Sequence, residues 1–217
     1  NSILPAIRAG IQYLRNMTGP LCSNIAEAGA FVKRRETSSR PDWEFHFGPV
    51  FFIDHGFTRP QPHGISFGPV LLHPKSNGMV SICSPNPLDA PVIQPRFLTE
   101  PEDLDNFIEA LQCATELSRQ PAFQEIIKEP VVPDTEPVTR EDYIRLIHDH
   151  AQTLYHPTGS CRMGTADRGV VDDHLRVHGV EGLRICDASV LPDSLSSNPQ
   201  ATIMMMAEHF SDMLFKH

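Results

Sequence analysis

Several features that would define a protein class do not occur in this chain of 217 residues. No run approaches the roughly 20 consecutive apolar residues that span a bilayer, so we expect no membrane segment, and no secretory leader is visible. No C-x-x-C pair occurs, which argues against a zinc site or a redox dithiol. No G-x-G-x-x-G occurs either, so these residues contain no glycine-rich turn of the kind that binds a dinucleotide pyrophosphate.

The charge and the length of the chain further narrow the class of protein. The chain has 27 acidic and 18 basic residues, and the resulting net charge of -9 works against binding a polyanion. We therefore expect no nucleic-acid partner. Solubility explains the charge most simply, and a preference for a cationic substrate is the alternative. A chain of this length can bury one sizeable core, so residues 1–217 are expected to form a single domain.

The cysteines indicate a reducing compartment. They are odd in number and widely separated: Cys22, Cys83, Cys113, Cys161 and Cys186. Scattered single thiols mostly behave as small apolar groups and are typical of proteins that form no disulfides. We expect a cytoplasmic location, and the sequence leaves the oligomeric state open.

The first half of the chain changes from a helical to an alternating pattern. Apolar residues at helical spacing predict a helix over residues 2–14. Alternation over 43–47 and 80–83, and a short apolar run over 70–72, predict strands. Residues 75–78 (KSNG) stand between two of these strands and predict a hairpin turn, because Asn-Gly tolerates positive φ.

After Thr99 the apolar period changes from two to about 3.6, which predicts helices. Thr99 with Glu102, and Thr139 with Asp142, each predict a capping box at a helix start. Another helix is predicted over residues 199–215. The predicted fold class is α+β, a mixed or antiparallel sheet with helices packed on one side.

An ordered set of short motifs fills the last third of the chain. They are residues 155–164 (YHPTGSCRMG), 170–172 (VVD), 175–180 (LRVHGV), 182–189 (GLRICDAS) and 197–204 (SNPQATIM). Further motifs lie upstream, in order, at residues 18–21 (TGPL), 27–31 (EAGAF), 40–42 (RPD), 73–78 (HPKSNG) and 86–93 (NPLDAPVI). This succession resembles the glucose–methanol–choline (GMC) family of flavin-dependent alcohol oxidoreductases, nearest to its choline dehydrogenase-like branch.

The resemblance implies the C-terminal, substrate-binding part of a longer enzyme. The family's N-terminal half holds FAD through a glycine-rich turn at a helix start, and these residues contain no such turn. A start at Asn1 rather than Met agrees with a fragment, although processing would look the same. The implied cofactor is FAD, the implied ligand is a small-molecule alcohol, and the implied partner is the missing FAD-binding half. Residues from about 155 to 217 are expected to pack against that half.

His156 is the candidate catalytic base. Oxidation of an alcohol needs a group that takes the hydroxyl proton while a hydride leaves. A neutral imidazole suits this task, because histidine ordinarily titrates near pH 6.5. The resemblance places the family's base at His156. The alternative is a structural role, which is the usual one for a histidine that precedes a turn-forming proline.

Asn198 is the second catalytic candidate. The resemblance implies that either His or Asn stands here beside the substrate oxygen. An amide can donate and accept hydrogen bonds but cannot act as a base, so the proton is assigned to His156. The alternative is an ordinary N-cap, since Asn198 precedes a helix expected to begin with proline. The two roles are compatible.

The cofactor-binding candidates lie in two segments. They are Asp187, Ala188, Asn198, Pro199 and Gln200. Backbone N–H groups at a helix start, with the positive end of the helix dipole, can stabilise negative charge on a reduced flavin. Pro199 has no N–H, so the donors must come from later residues. Asp187 and Ala188 follow a strand predicted over residues 183–186 and resemble the family segment that lies along FAD. The alternative for Asp187 is a turn cap.

The remaining histidines have no assigned role in the reaction. We expect no metal, because His148, His150, His156 and Cys161 match no standard zinc spacing. His148 and His150 are predicted to lie on a helix surface, and His178 is predicted to be a turn residue. The resemblance implies a variable substrate pocket in the sheet region, and the sequence does not say which histidine there lines it: His46, His55, His63 or His73.

Two other functions stay open at this point. A flavin-containing hydroxynitrile lyase would use the same scaffold without redox turnover. A catalytically inert substrate-binding fragment would retain only a pocket or an interface. Neither the alcohol nor the electron acceptor is determined by the motifs, because pocket-lining loops rather than the motifs select the substrate.

Overall fold

The computed structural model describes residues 3–58 and 64–215, which form helices and short strands. The helices are α1 (Ile3–Asn16), α2 (Pro101–Ser118), α3 (Pro121–Gln124), α4 (Arg140–His150) and α5 (Gln200–Phe215). The strands are β1 (Ala28–Val32), β2 (Trp43–Gly48), β3 (Ser66–Leu71), β4 (Met79–Ser81) and β5 (Val92–Gln94). Residue 2, the expected first helical residue, and His63 lie outside the described residues.

The chain divides into two compact units. The first comprises Asn1–Arg34, Trp43–Val70 and Phe107–Gln152. The second comprises Arg35–Asp42, Leu71–Asn106 and Thr153–His217. Each unit contains its own buried apolar residues.

A three-stranded sheet organises the first unit, in the order β1-β2-β3. β1 and β2 pair antiparallel from Ala28 opposite Phe47 to Val32 opposite Trp43. Side chains alternate along a strand, so Trp43, Phe45 and Phe47 share one face of β2. Phe47 contacts Phe123 of α3 edge-on, with the ring centroids 6.2 Å apart. The apolar face of the sheet is therefore the face against which a helix packs.

Helices supply the rest of the buried surface of the first unit. Ile108 and Ala110 of α2 are buried, as are Tyr143 and Ile147 of α4. The α4 pair is four residues apart, which is the spacing that places two side chains on the same face of a helix. α4 begins at the predicted capping box, where Thr139 and Asp142 exchange hydrogen bonds with each other's backbone N–H groups. The predicted class of mixed helix and antiparallel sheet is confirmed.

The second unit has a small core around two irregular segments and one helix. Val171, Leu175 and Val190 are buried together. Partly buried apolar residues pack against them: Met163, Val177, Ile185, Cys186, Met206 and Phe210. Met206 and Phe210 lie four residues apart on α5, so one face of this helix contacts the core. This contact fixes the position of the helix that begins at the candidate residue Gln200, directly after the candidates Asn198 and Pro199.

The predicted hairpin at residues 75–78 is wrong. β3 belongs to the three-stranded sheet, whereas β4 pairs with β5. The buried carboxylate of Asp103 instead accepts hydrogen bonds from the backbone N–H groups of Lys75 and Ser76, each at 2.8 Å. It also accepts one from the Ser76 hydroxyl at 2.5 Å. The segment is thus held by an acidic side chain of α2 rather than by pairing between two strands.

Two other local predictions are also wrong. Thr99 does not cap α2, because its hydroxyl donates to the carbonyl oxygen of Arg96 at 3.1 Å, and α2 begins at Pro101. Residues 183–186 do not form a strand. Within the described part of the chain, their backbone forms one antiparallel bridge, between Arg176 and Arg184. A short apolar run does not distinguish a strand from such a loop.

Among the described residues, no helix has the length and apolar character needed to cross a membrane.

Candidate active site

His156 lies in an irregular segment of the second unit, directly after α4 and its connecting residues. The preceding residue, Tyr155, has a positive φ of 63°, and its backbone N–H donates to the Thr153 hydroxyl at 3.0 Å. The His156 ring is exposed and makes no hydrogen bond to any described residue. Its nitrogens are therefore available to a ligand.

The segment that follows His156 is anchored to the short 3₁₀ turn at Ala188–Val190. The backbone N–H of Cys161 donates to the Ser189 carbonyl oxygen at 2.9 Å, and that of Met163 donates to Val190 at 2.8 Å. Between His156 and these bonds stands Gly159, whose φ of 78° favours glycine. The candidate base is thus attached to the segment that contains the cofactor candidates Asp187 and Ala188.

Asp187 caps the 3₁₀ turn. Its Oδ1 accepts a hydrogen bond from the Ser189 backbone N–H at 2.7 Å. This confirms the turn-cap interpretation, and it leaves Oδ2 without a hydrogen-bond partner among the described residues. Asp187 is exposed and Ala188 is half-buried, so both can be reached from outside the unit.

Asn198, Pro199 and Gln200 form the entry to α5. The helix begins at Gln200, and the first carbonyl to accept a helical hydrogen bond is that of Pro199, from Ile203 at 2.9 Å. Pro199 therefore occupies the capping position and Asn198 precedes it. The Asn198 side chain makes no hydrogen bond within the described part of the chain, so the N-cap alternative is wrong.

The first turn of α5 presents unused donors. Within residues 3–58 and 64–215, nothing accepts a hydrogen bond from the backbone N–H of Gln200, Ala201 or Thr202. Asn198 and Gln200 are exposed, whereas Pro199 is buried. Unpaired N–H groups and the positive end of a 16-residue helix dipole together favour an anionic or hydrogen-bond-accepting ligand.

All six candidate residues lie in the second unit, and the structure joins some of them directly. Backbone hydrogen bonds join the His156 loop to the Asp187 turn, and Met206 and Phe210 pack α5 against the buried cluster that includes Val190. No hydrogen bond joins His156 to Asn198. The two catalytic candidates are thus separate exposed groups carried by segments that share one core.

Three further histidines lie where the sequence predicted them. His148 and His150 are exposed at the end of α4, and His178 lies in a turn, where its Nε2 is 2.9 Å from the Gly164 carbonyl oxygen. Among the described residues, no three His, Cys, Asp or Glu side chains are grouped as metal ligands.

His73 is a neighbour of the site that sequence reasoning did not single out. Its Nε2 is 2.9 Å from the Ser196 hydroxyl, two residues before Asn198. The two residues are 123 positions apart in the chain, so no local pattern could pair them. Burial lowers the pKa of His73, as does the nearby positive charge of Arg40, while Asp193 and Asp42 oppose the shift.

Comparison with known proteins identifies the class. The family model described as GMC oxidoreductase matches residues 74–207, so the chain belongs to the GMC oxidoreductase family. The chain is 33% identical over 216 residues to an alcohol dehydrogenase [acceptor] of Pseudomonas putida. It is 34% identical over 219 residues to an oxygen-dependent choline dehydrogenase of Escherichia coli O139:H28. It covers 39% of the length of either relative, and they cover 99% and 98% of this chain.

Solved structures give the same result. A formate oxidase variant from Aspergillus oryzae RIB40, solved in work on FAD modification, superposes with a TM-score of 0.84 at 26% identity. The match covers 96% of this chain and 41% of that one. A fungal aryl-alcohol oxidase superposes with a TM-score of 0.62 at 25% identity, over 82% of this chain and 28% of that one.

Proposed function

We propose that this chain is the C-terminal, substrate-binding part of an FAD-dependent enzyme that oxidises an alcohol to a carbonyl compound. Membership of the GMC oxidoreductase family and the similarity to alcohol and choline dehydrogenases support the reaction class. The observation that carries the proposal is the free, exposed His156 ring on a loop attached to the Asp187 turn. The proposed ligand is a small-molecule alcohol, with no nucleic-acid partner.

The residues present fit the edge of a flavin. The unused N–H groups of Gln200, Ala201 and Thr202 are a donor set suited to a ring that becomes negatively charged on reduction. The free Oδ2 of Asp187 is an acceptor suited to hydroxyl groups of the cofactor. Asp187, Ala188, Asn198, Pro199 and Gln200 would therefore lie along FAD.

In this reaction FAD supplies the hydride acceptor. His156 takes the hydroxyl proton through a ring nitrogen, which it can do because it has no competing hydrogen bond. Asn198 orients the alcohol: its amide can donate to the substrate oxygen and its carbonyl can accept from the hydroxyl. Only His156 of the two can hold the proton, because an amide is not basic.

We also propose that residues 1–217 act as one substrate-binding domain, and that residues from about 155 to 217 pack against an FAD-binding half. Met204 and Met205 support this packing, because each is 60% exposed on the face of α5 that does not contact the core. Methionine adapts its shape to irregular surfaces, which suits an interface. The five cysteines are free thiols, which supports a cytoplasmic location.

Single-turnover reduction of the flavin tests the proposal. The whole protein would be mixed anaerobically with choline, benzyl alcohol and 1-butanol in turn, and loss of the oxidised flavin absorbance would be followed. We expect one of these to bleach the flavin, and His156→Ala to slow that step by about 10²–10⁴-fold. The matched control is His174→Ala, since His174 is also an exposed histidine of the second unit.

Three results would contradict the proposal. An unchanged rate in His156→Ala would reject His156 as the base. Flavin that stays oxidised with every alcohol but accompanies cleavage of a cyanohydrin would establish the lyase instead. Whole protein that contains no flavin would support an inert binding module.

A further inference from the structure

Asn198 ends a segment that has no regular secondary structure. Residues 191–198 follow the 3₁₀ turn at Ala188–Val190 and precede α5, and they form bends and irregular backbone. Such a segment has no ladder of backbone hydrogen bonds to fix its path, so its position depends on side-chain contacts. The placement of Asn198 is therefore decided by whatever holds the residues just before it.

Two hydrogen bonds connect this segment to residues 72 and 73. The Ser194 hydroxyl donates to the carbonyl oxygen of Leu72 at 3.3 Å. The Ser196 hydroxyl is 2.9 Å from Nε2 of His73. Leu72 is itself buried, and its backbone N–H donates to the Asp42 carbonyl oxygen at 3.1 Å. The irregular segment is thus attached to residues 72 and 73, and Leu72 is itself held by its burial and by its hydrogen bond to Asp42.

His73 is suited to act as a fixed partner rather than as an exposed, mobile one. Its ring is partly buried, and its Nδ1 is shielded from solvent without a hydrogen bond of normal geometry. Burial and the Arg40 charge lower its pKa, so the ring is neutral near neutral pH. A neutral imidazole offers one donor and one acceptor, and either suits a serine hydroxyl.

We propose that His73 is a positioning residue for the reaction, which sets the location of the Asn198 amide by holding Ser196. This rests on the role proposed for Asn198. Two residues of extended chain span at most about 7 Å, so fixing Ser196 confines Asn198 to a small volume. Loss of the His73–Ser196 hydrogen bond leaves the Asn198 side chain intact but lets the segment move relative to α5.

The proposal predicts how substitutions of His73 and Ser196 change the rate of flavin reduction. In the whole flavoenzyme, His73→Leu replaces the imidazole, with both its nitrogens, by an apolar side chain. Ser196→Ala removes only the hydroxyl group. Each is expected to slow flavin reduction by saturating alcohol about fivefold to tenfold, the effect of one lost hydrogen bond. His73→Gln is the control, because its amide can reach the position of Nε2, and it is expected to stay within about twofold of wild type.

The decisive measurement is the effect of His73→Leu on the rate of flavin reduction in a protein that already carries Asn198→Ala. Asn198→Ala itself is expected to slow reduction about 10-fold or more. If His73 acts through Asn198, His73→Leu has less than a twofold further effect there. A purely structural role would instead slow both backgrounds equally. The probe is whichever of choline, benzyl alcohol and 1-butanol reduces the wild-type flavin fastest.

Each outcome decides the proposal. Equal slowing in the two backgrounds, or a wild-type rate in both His73→Leu and Ser196→Ala, would overturn it while His156 and Asn198 keep their roles. A wild-type rate in Asn198→Ala would overturn both this proposal and the role of Asn198. Should His73→Leu fail to accumulate as folded protein, Ser196→Ala carries the same test with the loss of a single oxygen atom.

Discussion

The backbone N–H of Cys161 donates a 2.9 Å hydrogen bond to the carbonyl oxygen of Ser189, and that single contact begins the attachment of the His156 loop to the Asp187 turn. Met163 repeats the contact two residues later, to Val190 at 2.8 Å. Because Val190 belongs to the core on which α5 packs, the loop, the turn and the helix share one support. Changes at that support should affect the chemistry without touching a reacting group.

Substitution of Gly159 tests whether the conformation of the His156 loop affects flavin reduction. Its φ is 78°, and a Cβ at this position would lie 3.4 Å from the Leu191 carbonyl oxygen. Gly159→Ala is expected to lower the free energy of unfolding by about 1–2 kcal/mol, through a left-handed backbone conformation that alanine disfavours. It should also slow flavin reduction, because the backbone strain falls on the loop that carries His156.

Gly179 supplies the matched control for Gly159. Its φ is 75°, but a Cβ there would meet no atom of the residues that the structure describes within 4 Å. Gly179→Ala should therefore lose a similar free energy of unfolding, measured by urea denaturation, and keep the wild-type rate of flavin reduction. Equal slowing in both variants would show that general instability, and not the position of the loop, limits the reaction.

Val190 tests the shared core. It is fully buried in the cluster against which Met206 and Phe210 pack, and Val190→Ala removes two methyl groups from that cluster. The expected loss in the free energy of unfolding is about 2 kcal/mol, from lost burial plus a cavity. Val180→Ala is the control, because Val180 is half exposed and its truncation should cost less than about 0.5 kcal/mol.

Asp187 has two roles that substitutions can separate. Asp187→Ala removes the cap on the 3₁₀ turn and should cost about 1 kcal/mol in urea denaturation. Asp187→Asn keeps an oxygen that can accept from the Ser189 N–H, so its stability should stay near wild type. Both variants should contain less FAD when purified, if the carboxylate contacts the cofactor. Full flavin content in both would leave Asp187 with the structural role alone.

We expect Asp172 to make the stability of the fold depend on pH in the acidic range. Burial would raise its pKa, but hydrogen bonds from the Arg176 N–H and guanidinium and from the His174 N–H outweigh it and lower the pKa to about 2. A carboxyl group whose pKa is lower in the folded state stabilises the fold above its ordinary pKa near 3.8, and this contribution is lost as pH falls through about 2.

The variant Asp172→Asn makes this dependence measurable. It keeps the acceptor oxygen but not the charge, so it should unfold at a lower urea concentration than wild type at pH 6. The difference between the two proteins should shrink as pH falls from about 4 toward 2. A difference that stays constant over this range would show that the charge of Asp172 does not stabilise the fold.

Local sequence signals predicted those elements whose partners are close in the chain. The capping box of Thr139 and Asp142 formed as expected, since both its hydrogen bonds lie within four residues. The similar pair at Thr99 failed, because the Thr99 hydroxyl had a competing acceptor in Arg96. Local sequence propensity cannot tell which of two nearby hydrogen-bond partners a threonine hydroxyl uses, because the folded structure decides which partner it reaches.

Contacts between distant residues account for what the sequence could not show. The turn at residues 75–78 has the composition of a hairpin, but Asp103 of α2 takes its backbone N–H groups. The His73–Ser196 hydrogen bond likewise joins residues 123 positions apart. The motifs identified the family and the candidate residues, whereas the support of those residues became visible only in the structure.

A crystal structure of the whole protein with a bound alcohol analogue tests the central claim most directly. We expect a ring nitrogen of His156 and the side-chain amide of Asn198 to lie within about 3.2 Å of the same hydroxyl oxygen, next to the flavin. An analogue bound at the flavin whose oxygen contacts neither residue would contradict the proposed mechanism.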